Sequence, residues 1–335
     1  MLRWGVLGTS FISNTVVAAI KSSSASQVTA IFGRDAGRLE AFAEKHAIPH
    51  RCSSIDALVN HAEVDVVYVG LPSHLHAEAT IAAARAGKAI LSEKSLATTM
   101  ADAHRMLDAV KQHGVFFLEG LMYLSHPLMQ KVADIVRSGE LGPLRSISGS
   151  YAANIWKKAN PAGMGTIYNL GCYPLSLLHW IMTTELGPGA LKARRIQALG
   201  NLADDGSHVR DAALVLRLDN GFVATLQSTD SFGNDFSFSV QGTKGSLRFK
   251  TNPWLPPAGK SILELKRYGG GVEEIVVESP LDAFGWQVKT VEKCVAEGVK
   301  EAQRPPPRWV DSIEIMEVLT EWERAIMEDM KGRSG

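Results

Sequence analysis

Three short segments carry residues whose types and spacing could do chemistry: GVLGTSFIS at 5–13, AILSEKSLA at 89–97 and GTIYNLGCYP at 165–174. In the first, Gly8 permits a sharp turn after an apolar strand. Backbone amides and a helix N-terminus then face an anion, as in the turn that seats a dinucleotide pyrophosphate. The second segment sets Lys94 at the end of a buried strand beside Glu93, and the third sets Tyr173 near the start of a second region. A lysine and a tyrosine beside a nicotinamide are the minimum equipment for hydride transfer to or from a carbinol carbon. Free tyrosine has a pKa of ~10, too high for an efficient base at neutral pH. A nearby ammonium favours tyrosinate, so Lys94 either activates Tyr173 and polarises the alkoxide, or carries the proton itself. Asn169, one helical turn before Tyr173, shares its face.

Gly8, Thr9, Ser10, Phe11 and Ile12 form the expected pyrophosphate turn, although Ser10 and Ser13 stand where G-x-G-x-x-G has its later glycines. The Ser10 hydroxyl can still donate to phosphate. The second strand ends Phe32-Gly33-Arg34, followed by Asp35 and Arg38. An acid at this place binds the ribose 2′-hydroxyl of NAD, whereas arginine pairs with a 2′-phosphate. Gly33, Arg34 and Arg38 therefore point to NADP, with Asp35 leaving NAD as the alternative. Downstream, LPSHLHAE at 71–78 supplies Leu71, Pro72, Ser73 and His76 as cofactor contacts. His74 and His76 have no third ligand at a motif spacing, so no metal site is expected.

These residues need elements to hold them. Apolar runs at 2–7, 28–32, 64–71, 89–92 and 115–118 alternate with helical patterns at 36–46, 76–86 and 100–113, the rhythm of a parallel sheet with crossover helices. Asp35 is placed to cap the first of these helices, and Gly87 and Gly114 to end the others. After about residue 145 the rhythm changes. A helix over 165–182 carries Tyr173, and strands follow at 195–200, 212–218, 222–228, 236–241, 246–249 and 262–268. Asp219-Asn220-Gly221 and Gly269-Gly270-Gly271 read as hairpin turns. Helices at 284–296 and 311–328 close the chain. The expected architecture is α/β: a Rossmann domain over 1–122, then an α/β domain over 123–335 with an open, largely antiparallel sheet. Helix 311–328 is expected to pack back on the first domain. Tyr123, Trp156 and His126 are candidates to line a substrate cleft.

Composition sets the outer limits. The 335 residues exceed one typical core, and 45% hydrophobic with 21% charged residues is ordinary for a globular chain. Lys+Arg 35 against Asp+Glu 35 gives no electrostatic case for nucleic acid or an anionic membrane. Three cysteines without metal spacing fit a reducing cytoplasm. The apolar N-terminus is broken by Ser10, Ser13 and Asn14, so it reads as strand, turn and helix rather than a signal peptide. Alternating apolar residues in 212–218 and 236–240 leave a sheet face needing cover, which favours a homodimer or homotetramer.

Assembled in order, these segments resemble the family of glucose–fructose oxidoreductase, inositol dehydrogenase and the rhizopine-catabolism dehydrogenases (Gfo/Idh/MocA). Within it the chain is most similar to the dimeric dihydrodiol dehydrogenase and D-xylose dehydrogenase branch. The marks are GVLGTSFIS, LPSHLHAE, Glu93-Lys94, FFLEGLMYLSHP at 116–127, YNLGCYP at 168–174 and GTKGSLRF at 242–249. The resemblance implies that Lys94 lies beside the nicotinamide and that Tyr173 handles the substrate proton. It also implies that Asn169, where the family has aspartate, binds substrate. Ser95 replaces the usual proline of a Glu-Lys-Pro triplet, and a non-proline residue strongly disfavours a cis bond; Leu124 stands where this branch has arginine. The implied activity is NAD(P)-dependent hydride transfer on a sugar, polyol or dihydrodiol-like compound. A catalytically weak NAD(P)-binding sensor of the same fold is the alternative.

Overall fold

Strands β1 (Leu2–Leu7), β2 (Ser26–Phe32), β3 (His50–Arg51), β4 (Val66–Val69), β5 (Ala89–Ser92) and β6 (Phe117–Glu119) form one sheet in the order β3-β2-β1-β4-β5-β6, in a computed structural model that describes residues 1–159 and 164–333. Every neighbouring pair in it is parallel. The order reverses between β1 and β4, the point at which open α/β sheets bind ligands. Helices on the faces explain the sequence: β4, VVYV, is buried at every position, as parallel strands covered on both sides must be. The helices Ala36–Lys45, His76–Arg85 and Met100–His113 fall where periodicity put them. Asp35 accepts from the Arg38 amide at 2.8 Å to cap the first, and Gly114, at φ +60°, ends the last.

The first compact unit comprises Met1–Ser125 together with Ala283–Ile313. The sequence reading gave the whole of 123–335 to the second domain and returned only helix 311–328. In the structure, helix Ala283–Ala296 belongs with the first unit. Its Val288, Val291 and Cys294 share a core with Val16, Val17 and Ile20 of helix Phe11–Ser22. Glu292 adds a polar tie, accepting from the Ser23 and Ser26 hydroxyls at 2.5 and 2.7 Å. Of the last helix, Trp309–Arg333, only the first turn falls in this unit.

The second unit, His126–Asp282 with Glu314–Gly335, is built on an eight-stranded sheet. Its strands are β7 (Leu144–Ala153), β8 (Arg194–Leu202), β9 (Val209–Leu218), β10 (Val223–Thr229), β11 (Asn234–Gly242), β12 (Gly245–Phe249), β13 (Gly259–Arg267) and β14 (Val272–Ser279). They lie in the order β14-β13-β12-β11-β7-β10-β9-β8. Only β7 and β10 pair in parallel. Both predicted hairpins are present, with Gly221 and Gly269 at φ +85° and +79°. The sequence reading missed the central strand β7. Its outward residues are Ser146, Ser148 and Ser150, and Ser148 and Ser150 meet Ser239 and Ser237 of β11 at 2.8 Å each. A strand whose outer face is serine offers little hydrophobic alternation to detect.

The apolar half of β9, Ala212, Leu214, Leu216 and Leu218, is buried. Within this unit, helix Cys172–Leu186 packs against β7 and β10, and Ile326 of the last helix reaches Gly200 of β8. The chain thus supplies its own cover for the face expected to require a partner. The outer face carries Val215 and Leu199 among small and polar side chains. Among the described residues, no helix is long and apolar enough to cross a membrane.

Candidate functional site

The first unit brings its predicted residues to the carboxyl edge of the parallel sheet. Gly8 sits at φ +106°, and a Cβ there would lie 2.5 Å from the Gly70 carbonyl oxygen, so the turns after β1 and β4 meet too closely for any side chain. Thr9 packs on Gly33, whose Cβ would stand 2.9 Å from Thr9 Cγ2. Ser10 also closes the helix start. Its hydroxyl caps helix Phe11–Ser22, accepting from the Ser13 amide at 3.2 Å and meeting the Ser13 hydroxyl at 3.0 Å. The first turn of that helix has no acid, so its amides and dipole are left to an anion. A turn that only glycine can occupy, opening a capped helix without acidic residues, fits the pyrophosphate of a dinucleotide.

Beneath this turn runs a buried polar chain. Ser13 and Tyr68 both crowd the Cα of Gly70, and the Tyr68 hydroxyl donates to Glu93 Oε1 at 2.9 Å. Burial, reinforced by the Glu93 charge, pushes the Tyr68 pKa far up, so it stays a neutral donor. Burial also raises Glu93, against the pull of the Lys94 charge and the Tyr68 hydrogen bond. On the neighbouring strand, Ser92 of β5 is in register with Glu119 of β6. Glu119 is pushed up to about 7 by burial, against the pull of the Leu96 amide and the Lys94 charge. Lys94 thus leaves the sheet edge with a buried carboxyl on each side. Sequence reasoning missed Glu119, although an acid inside the apolar run FFLEGLMY is a signal, since burying a charge without a partner is costly.

The remaining cofactor candidates surround this edge. Leu71, Pro72 and Ser73 form the partly exposed turn after β4. His76 is buried below it, between the Leu71 carbonyl at 2.9 Å and the Ser95 carbonyl at 3.0 Å. Burial lowers its pKa, and a neutral imidazole has one N–H, so it donates to one carbonyl at a time. It ties the Leu71 turn to the segment after Lys94. The Lys94–Ser95 peptide is cis, so the departure expected from Ser95 does not extend to the bond's isomer. Phe11 is 65% exposed at the helix start, and Ile12 is half-buried. Arg34 and Arg38 are exposed, with Arg38 Nε 3.7 Å from Asp35 Oδ2. Tyr123 is fully buried in the turn Met122–Ser125, which packs on helix Ala283–Ala296.

In the second unit, Tyr173 lies in the first turn of helix Cys172–Leu186 and is 7% exposed. The helix predicted to begin at 165 is preceded by a wide π-type turn, Ile167–Gly171, which holds Asn169. Such turns re-aim side chains at functional sites. Gly149 of β7 lets this helix approach: a Cβ there would stand 2.6 Å from Phe238 and 3.3 Å from Pro174. Two residues along β7, Tyr151 meets the Tyr173 ring edge-on at 5.3 Å between centroids, and Trp254 lies at 6.2 Å. Burial pushes the Tyr151 pKa up to about 12, so it stays neutral. Asn169 donates to Asp230 at 2.6 Å. Trp156, half-buried, opens the short helix Trp156–Ala159, and His126 caps helix Pro127–Arg137 through the Leu128 amide. Tyr151, Trp254 and Asp230 were not anticipated, because they are distant in sequence from Tyr173 and Asn169 and carry no local motif.

Comparison with known proteins follows this division. Residues 2–121 match the model of the oxidoreductase family with an NAD-binding Rossmann fold, and residues 129–248 match the GFO/IDH/MocA C-terminal domain. Trans-1,2-dihydrobenzene-1,2-diol dehydrogenase of Bos taurus is 27% identical over 97% of both chains. A dTDP-3,4-didehydro-2,6-dideoxy-alpha-D-glucose 3-reductase of Streptomyces violaceoruber is 31% identical over 82% of this chain and 80% of its own. Among solved structures, a 3-ketoreductase from Actinomadura kijaniata in complex with NADP and TDP-benzene superposes with a TM-score of 0.83. It is 26% identical, covering 97% of this chain and 98% of that one.

Proposed function

The chain belongs to the GFO/IDH/MocA oxidoreductase family, with an NAD-binding Rossmann domain at its N-terminus, and we propose that it is an NADP-preferring dehydrogenase or reductase acting on a CH–OH or C=O carbon of a sugar, polyol or dihydrodiol-like compound. The observation that carries this reading is the placement of Lys94, leaving the ligand-binding edge of the parallel sheet between buried Glu93 and Glu119.

The residues that would hold the cofactor are Gly8 to Ile12 at the pyrophosphate, Gly33, Arg34 and Arg38 at the adenosine ribose, and Leu71 to Ser73 with Glu93 and Lys94 toward the nicotinamide. When bound, a nicotinamide cofactor accepts or supplies the hydride. The protein's own part is to move the proton and hold the substrate. Tyr173 exchanges the hydroxyl proton of the substrate, and its ring has little freedom beside Tyr151 and Trp254. The Lys94 ammonium stabilises charge developing on the substrate oxygen. Asn169 hydrogen-bonds a neighbouring substrate hydroxyl. NADP is preferred because Asp35 is engaged at its own helix start, leaving the exposed Arg34 and Arg38 to face a 2′-phosphate. NADP in the complex of the Actinomadura enzyme supports the same choice. A homodimer or homotetramer completes this reading, with the exposed Leu199 and Val215 of the second sheet's outer face as its contact.

The test is a panel of sugars, polyols and diketones with both cofactors, monitored by nicotinamide absorbance. Turnover of a hydroxy or keto compound with NADP(H) favoured over NAD(H) is expected. Tight NADPH binding with no turnover across the panel would instead identify a sensor.

A further inference from the structure

Asp230 lies just past the end of β10 and is fully buried. Its Oδ2 accepts from Asn169 Nδ2 at 2.6 Å, and Asn169 is only 7% exposed. The bond runs from the Asn169 amide to the Asp230 carboxyl oxygen, so the NH2 side of the asparagine faces it. That settles which way round the amide sits, with Nδ2 toward Asp230 and Oδ1 turned away. The same residue acts through its backbone, where its carbonyl oxygen accepts from the Ile155 amide at 3.0 Å and the Trp156 amide at 2.7 Å. One buried residue therefore joins the π-type turn holding Asn169 to the segment that opens at Trp156.

We infer that Asp230 is a positioning residue for substrate binding: it orients the Asn169 carbonyl as a hydrogen-bond acceptor and anchors the backbone at Trp156. The inference rests on the reading of Asn169 as a substrate contact given above. Asn169 alone could present either its amide or its carbonyl to a ligand. With Asp230 behind it the end turned away from Asp230 is an acceptor, which selects a substrate carrying a free hydroxyl near the reacting carbon. A compound in which that hydroxyl is methylated or absent would lose that hydrogen bond.

The experiment compares wild type with Asp230→Asn, Asn169→Ala, the Asn169→Ala/Asp230→Asn double variant and the exchanged pair Asn169→Asp/Asp230→Asn. Steady-state kinetics use NADP+ with the best-turned-over member of a panel of D-xylose, D-glucose, myo-inositol and trans-cyclohexane-1,2-diol, and NADPH affinity is read by fluorescence. In Asp230→Asn either amide can now donate to the other, so KM should rise about tenfold while kcat stays within about threefold, the pattern of lost substrate binding. NADPH affinity should not move. In the Asn169→Ala background the same substitution should change KM by less than about twofold, because residues acting as one unit are not additive. The exchanged pair restores one carboxylate and one amide and should recover most of the lost affinity. A purely packing role would instead give the same KM change whether or not Asn169 is present, and that result overturns the inference, as does an unchanged KM in folded Asp230→Asn. Should Asp230→Asn not fold, an exchanged pair that binds NADPH normally but has no measurable affinity for substrate overturns it. Wild type that binds NADPH yet turns over no member of the panel overturns the proposed function and this inference together.

Discussion

The two units build their sites in opposite ways. In the first, a parallel sheet delivers every strand's carboxyl end to one edge, so short local segments after β1, β2, β4 and β5 add up to a site without long-range design. Much of that site is backbone: a glycine turn, a helix start and the Leu71 and Ser95 carbonyls that hold His76. In the second, all neighbouring strands but one pair run antiparallel, and their ends alternate between two edges. Its candidate site is instead made of side chains on one helix start, braced by residues from β7, from beyond β10 and from the loop holding Trp254. Under the proposed function, the cofactor is met by the arrangement that tolerates side-chain drift, and the substrate by the one that side-chain changes can retune.

The sharpest way to break this contrast is to remove one side chain from each unit's chemistry. Tyr173→Phe should lower kcat by roughly 10²–10⁴-fold with NADPH affinity kept, and Lys94→Ala should be at least as damaging to kcat. The double variant should be far from additive, since both serve one step. Additive losses in steady-state kinetics would mean that the two units contribute separately.

The next test probes the buried acid of the first unit. Folded Glu119 keeps its proton up to about pH 7, whereas the ordinary value is 4.5. Between those values the folded state binds more protons than the unfolded chain, so stability is greatest below the lower value and falls as pH rises through the upper. The loss is on the order of 3 kcal/mol. Urea denaturation from pH 4.5 to 8 should show this slope in wild type and a flatter profile in Glu119→Gln. Equal slopes would remove Glu119 as its source.

Cofactor choice is a smaller effect. Arg34→Ala should weaken NADPH binding about tenfold and leave NADH unchanged, as expected for one lost charge-assisted contact. Fluorescence titration with both cofactors reads the ratio, and an unaltered ratio would move the 2′-phosphate contact elsewhere. The smallest effect belongs to the outer face of the second sheet. Ser148→Ala removes one hydroxyl pair with Ser239 and should cost under about 1 kcal/mol in thermal denaturation. A much larger loss would mean that this face carries more than paired surface serines.

The difference between the units also decides what the sequence made readable. Gly8, Asp35, Gly114 and Lys94 sit in patterns that span a few residues, and their elements appear where periodicity places them. Strand β7 escaped notice because serine and glycine leave its alternation faint. Asp230 escaped because its partner is 61 residues away in the chain, and no local pattern encodes such a pair. The assembly argument failed in its premise, since the apolar stripe of β9 is covered by the chain itself.

The return of residues 283–313 to the first unit has a consequence for how the molecule is made. During synthesis the Rossmann sheet leaves the ribosome complete long before the helix that seals it. Until residue 296 has emerged, Val16, Val17 and Ile20 lack Val288, Val291 and Cys294, and the whole second sheet is translated in the interval. The first unit therefore cannot be finished before the second sheet has been made. Cutting the gene at the apparent boundary near residue 122 would yield a nucleotide domain with an open apolar seam, so engineering that exchanges substrate domains must carry 283–313 along with the N-terminal piece.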